Sequence, residues 1–94
     1  MLKKRYQILI KNALKRYLPA KTEIFVFGSS LRSDNFKDID VGIDGSKVSS
    51  GMLLKLRDEL EASILPYAVD VVDFSRVDKN FRKCVFEDKV LWLT

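Results

Sequence analysis

Asp38 and Asp40 alternate with apolar residues in "DIDVGID", residues 38 to 44. In an extended segment, side chains point to opposite faces with period two. Ile39, Val41 and Ile43 therefore line one face, and Asp38, Asp40 and Asp44 the other, with Gly42 adding no bulk. Adjacent carboxylates on one face repel, so without compensation one should hold a proton. A divalent cation with oxygen ligands removes that repulsion. Mg²⁺ in particular takes one or two carboxylates and completes its shell with water and phosphate oxygens. A third acid, Asp70, lies in "YAVDVVDF" among valines, where an uncompensated carboxylate is costly. Asp73 has the opposite parity and is read as solvated or as capping the turn that follows. Asp38, Asp40 and Asp70 are thus the candidate metal ligands and catalytic carboxylates.

Gly28-Ser29 precedes the acids and closes the apolar segment "TEIFVFG". A turn there would present free backbone N–H groups to an anion. Glycine lets a phosphate approach the backbone closely, Ser29 adds a hydroxyl donor, and Arg32 could reach the same anion. Gly28, Ser29 and Arg32 are therefore the candidate phosphate-binding, hence nucleotide-binding, residues. The chain contains no histidine, which removes Ser-His-Asp triads, histidine zinc sites and an imidazole base. Chemistry built on carboxylates, hydroxyls and Mg²⁺ loses nothing by that.

These residues need a scaffold, and 94 residues suffice for one domain spanning 1–94. Leu2, Tyr6, Leu9, Ile10, Ala13, Leu14, Tyr17 and Leu18 recur at helical spacing before Pro19. Residues 22 to 28 read as a buried strand, 29 to 37 as a loop opening with a helical turn, and 38 to 44 as a second strand. A helix follows from about Ser50 to Leu65, with Leu53, Leu56, Leu60 and Ile64 on one face. Residues 67 to 74 form a third strand, and a last helix begins near Asp78 before the apolar tail "VLWL". The order α-β-β-α-β-α predicts an α/β (α+β) domain: a small mixed sheet of three or more strands. Its helices should pack on one face, leaving the other open for a site.

Charge and cysteine use bound the setting. Seven basic residues and no acidic one precede Glu23, leaving 10 basic and 13 acidic residues in the rest. That basic segment could contact nucleic-acid phosphates, but a solvated helix face is the simpler account. The single cysteine, Cys84, excludes a disulfide framework, and its neighbours Phe81, Val85 and Phe86 predict a buried structural thiol. No apolar run approaches the roughly 18 residues that span a membrane, and no signal peptide is recognised, so a cytoplasmic setting is expected.

"FVFGSS", "KDIDVGI" and "AVDVVDF", in this order, resemble the nucleotidyltransferase superfamily related to DNA polymerase β. Nearest are the stand-alone minimal nucleotidyltransferases, small prokaryotic proteins often paired with a HEPN-domain toxin as its antitoxin. The resemblance covers nearly the whole chain, including the basic first helix and the ending "FRKCVFEDKVLWL". It implies transfer of AMP from ATP, or NMP from another NTP, to a hydroxyl, with two Mg²⁺ ions. In paired members the acceptor is a tyrosine of the HEPN toxin. Asp38 and Asp40 would ligate the metals, Asp70 would complete the catalytic metal site, and Gly28 and Ser29 would hold the triphosphate.

There are departures from the family pattern. Residues 30 to 37 make a loop a little shorter than usual, Ser33 stands where a glycine is customary, and Ser30 replaces a frequent arginine. Two activities are therefore expected in turn. The first is adenylyltransfer to a partner protein within a hetero-oligomer. The second is an antitoxin with weak or no catalysis that neutralises its HEPN partner by binding it, with Trp92, Tyr6 and Tyr17 as interface anchors.

Overall fold

The computed structural model describes residues 2–94. Leu2, Ile10, Leu14 and Leu18 turn inward from the first helix, α1 (Lys4–Lys15), and its surrounding region. Strand β1 (Glu23–Phe27) follows, then a 3₁₀ turn at Ser29–Leu31 and strand β2 (Asp38–Asp44). Helix α2 (Ser50–Glu61), strand β3 (Ala68–Asp73), helix α3 (Lys79–Glu87) and strand β4 (Leu91–Trp92) complete the chain. The sheet order is β3-β2-β1-β4. β1 runs antiparallel to both β2 and β4, whereas β2 and β3 are parallel, joined by the crossover through α2.

Register sorts the side chains into two layers. Ile24 and Val26 of β1, Ile39, Val41 and Ile43 of β2, and Val71 of β3 are fully buried on the face packed by α1 and α2. The other face carries Phe25 and Phe27, paired with Gly42 and Asp40 respectively. Gly42 is required there, because a Cβ would collide with the rings of Phe25 and Phe74. Phe25, Phe27 and Phe74 form a second apolar cluster against Val85 and Phe86 of α3.

This second layer corrects the expectation that all helices share one face. α3 covers the lower half of the acidic face, because its aromatic residues match the phenylalanines of β1. The expected tail is also more than a tail. Leu91–Trp92 pairs with Val26 and Phe25 as a fourth strand. Trp92 stays 47% exposed while stacking on Phe86 at 5.8 Å. Tyr6 and Tyr17 serve the fold itself: Tyr6 packs edge-on to Tyr67, and Tyr17 donates to Glu59.

The end of α2 also differs from expectation, for a local reason, while α3 begins where expected. Ser49 caps α2 by accepting from the Met52 N–H, but the helix stops at Glu61. There the Ser63 hydroxyl bonds the Leu60 carbonyl and Ser63 Oγ accepts from the Leu65 N–H, so Ile64 is left 84% exposed. Asp78 caps α3 by accepting from the Phe81 N–H. Cys84, expected to be buried, is exposed, because Val85 and Phe86 take the sheet-facing side of α3 and turn it outward.

Candidate active site

The parallel register sets Asp70 of β3 directly beside Asp40 of β2, and Ala68 beside Asp38. Residues opposite one another in a sheet share a face, so Asp38, Asp40 and Asp70 lie on one side, above the half that α3 covers. Phe27 pairs with Asp40 on the other flank, which brings the end of β1, and Gly28 after it, to the same place.

Asp40 registers this crowding. Its carboxyl is raised above the ordinary aspartate range, first by burial and then by the charges of Asp70 and Asp38. No cation figures among those influences. Gly28 has φ +86°, and a Cβ there would lie 2.5 Å from Asp40 Oδ2. Only glycine gives this turn both its conformation and its clearance. Ser29 opens the 3₁₀ turn and is exposed. Ser30 is buried, and its hydroxyl lacks a hydrogen-bond partner among the described residues.

Other acids are placed by the arginines. Arg82 of α3 donates to Asp44 Oδ2 at 2.6 Å and to the Phe74 carbonyl at 3.3 Å. Asp44 shares the acidic face but serves as an anchor for α3. Asp73 lies on the opposite, helix-packed face and is the buried carboxylate of this strand, at 4% exposure. It accepts from the Val48 N–H and from the N–H and hydroxyl of Ser75, with Arg76 Nε at 3.5 Å.

Asp70, expected to be buried among valines, is instead an exposed side chain. β3 is the edge strand, so nothing covers that carboxylate from the side. Arg57 of α2 reaches around the edge to donate to the Val71 carbonyl at 2.9 Å, and stands 3.2 Å from Asp70 Oδ1. Arg32 pairs with Asp88 at 3.2 Å across solvent. Sequence reasoning missed Arg57 and Arg82; each acts through an element distant in sequence, and no local spacing signals either.

The donor set suits a hard divalent cation: oxygen atoms only, with the repulsion between Asp38 and Asp40 uncompensated. Among the described residues, however, no group of three acids is already gathered around one point, and Asp70 is held by Arg57. The carboxylate that meets the Gly28 turn is that of Asp40, with Asp38 on the same face of β2.

The fold is shared with solved structures. A protein from Shewanella oneidensis is 24% identical over 99% of this chain and 74% of its own, with a TM-score of 0.77. A chain of the toxin-antitoxin complex MntA-HepT is 22% identical over 98% of this chain and 72% of its own, also at 0.77. A third match, at 24% identity and a TM-score of 0.65, covers 94% of this chain and 71% of its own. It comes from a tri-AMPylated Shewanella oneidensis HEPN toxin in complex with an MNT antitoxin. These neighbours are of the kind the sequence motifs resemble. No curated protein matches the chain. A model of the family "Polymerase beta, Nucleotidyltransferase" matches residues 9–93, and the chain belongs to that family.

Proposed function

We propose that the chain is a Mg²⁺-dependent nucleotidyltransferase that moves AMP from ATP to a hydroxyl, a tyrosine of a HEPN-domain toxin. It would thereby act as that toxin's antitoxin inside a cytoplasmic hetero-oligomer. The observation that carries this reading is the register that sets Asp70 beside Asp40, on the face and at the end where Gly28 turns. The AMPylated HEPN toxin bound to an MNT antitoxin in a structural neighbour supports the choice of donor and acceptor.

Asp38 and Asp40 would hold two Mg²⁺ ions, with Asp70 as the third ligand once it exchanges Arg57 for the cation. Such ions, when bound, neutralise the phosphates and stabilise the attacking and leaving oxygens of an in-line displacement. The chain's own contribution is positioning, which is most of what phosphoryl transfer asks of a protein. Gly28 would admit the triphosphate to the backbone, the Ser29 hydroxyl would donate to it, and Asp70 would take the proton of the incoming hydroxyl as its oxygen bonds the α-phosphorus and pyrophosphate leaves.

The test is intact-mass measurement of a HEPN partner incubated with this chain, Mg²⁺ and each nucleoside triphosphate. Mass increments of AMP that vanish in Asp38→Ala and Asp40→Ala are expected; increments retained in both variants would refute the assignment. A second reading, neutralisation by binding alone, draws on the Arg57–Asp70 ion pair, which occupies the third carboxylate. Under that reading, an Asp38→Ala/Asp40→Ala double variant still silences the partner without any mass gain.

A further inference from the structure

Beside the Gly28 turn, on the side away from Asp70, a cleft of about 230 Å³ opens between the turn and α3. Phe27, Phe81 and Val85 line its apolar part, and Arg32, Asp88 and Lys89 its charged rim. Phe81 is 41% exposed although its ring packs edge-on to Phe27 at 6.2 Å. An aromatic ring capping a helix turn yet left half open has a face to offer. The cleft shares Gly28 and Arg32 with the candidate triphosphate site, so a ligand anchored at one extends into the other.

We propose that this cleft binds the nucleobase of the donor nucleoside triphosphate, stacked on Phe81. The proposal rests on the transferase reading above and adds where the donor's base lies. The cleft is too small for a drug-sized ligand and matches a flat heterocycle whose phosphates remain outside at Gly28 and Ser29. Aromatic side chains stack on any base through its π-face. Arg32 is tied to Asp88 by a solvent-exposed ion pair, which is weakly held. A triphosphate draws Arg32 away from Asp88 and so uncovers the mouth of the cleft, which reconciles its expected role with its observed partner.

Cys84, the single cysteine of the chain, lines the same cleft and is exposed, so the wild-type protein carries its own reporter. The experiment measures the rate of Cys84 alkylation by N-ethylmaleimide in Mg²⁺ alone, with ATP, and with inorganic tripolyphosphate. ATP is expected to slow alkylation strongly, whereas tripolyphosphate, which opens the mouth without filling the cleft, is expected not to slow it. In parallel, Phe81→Ala should weaken ATP binding about tenfold while tripolyphosphate binding is preserved. ATP that binds and supports AMP transfer while Cys84 reacts at its free rate overturns this proposal alone. Equal loss of both ligands in Phe81→Ala does the same. Failure of the wild-type chain to bind either ligand overturns the transferase reading together with it.

Discussion

Asp40 sits under two pressures, burial and the neighbouring charges of Asp70 and Asp38, and both raise its carboxyl above the ordinary range. The folded chain therefore binds that proton more readily than the unfolded chain does. The contribution to stability is present at low pH and is lost as pH rises through the raised titration. At neutral pH the ionised group works against folding, so Asp40→Asn should raise Tm in chelator while abolishing any stabilisation by Mg²⁺. A thermal melt with and without the ion reads both. Gly28→Ala should act through the same carboxylate. Its Cβ would press on Asp40 Oδ2, and the alanine would have to adopt the positive φ of +86° that the turn holds, costing about 1–3 kcal/mol of stability and at least tenfold in nucleotide transfer. Urea unfolding and single-turnover transfer separate the two effects. The common face of Asp38 and Asp40 was legible in the sequence, because strand parity is local arithmetic; Asp70 joins that face only through the parallel register of β2 and β3. The partner of Asp70 was not: Arg57 reaches it only because α2 crosses to the sheet edge. The buried-carboxylate argument applied to Asp70 belongs to Asp73, three residues on. Which of the two faces solvent is decided by where the helices pack.

α1 and α2 were readable from their apolar spacing, and β1 to β3 from short β-branched runs closed by glycine or turn residues. α3 was readable as a helix but not as a lid on the acidic face. Its side of the sheet follows from Phe25 and Phe27 pointing away from α1 and α2, and from Arg82 meeting Asp44 at 2.6 Å. Likewise β4 is two residues long and pairs with a strand more than sixty positions earlier, beyond any local pattern. The phenylalanine cluster is what fixes α3, so Phe74→Ala, at a fully enclosed site, should cost about 3–5 kcal/mol. That is a large share of the stability of a domain this size, and urea denaturation measures it. Arg82→Met should cost about 1 kcal/mol, since the arginine is partly exposed. It should also loosen α3, visible as faster amide exchange across Lys79–Glu87 with β1 and β2 unaffected.

Among the described residues no helix is long and apolar enough to cross a membrane. The seven basic residues before Glu23 remain one region of the molecule, with Lys3, Lys4, Lys15 and Arg16 exposed. If the acceptor is a protein, reversing charge at Lys4 and Lys15 changes association with it and leaves AMP transfer to water or small hydroxyl compounds unaltered; binding measured at two salt concentrations checks this. The half of the sheet face that α3 leaves bare has one further consequence. The carboxylates stand on a ledge with a wall on a single side, and the missing wall has to be lent by whichever molecule is being modified. Selectivity for that molecule is then written mostly in the visitor's surface, so this scaffold can change clients while every residue of its two apolar layers stays as it is.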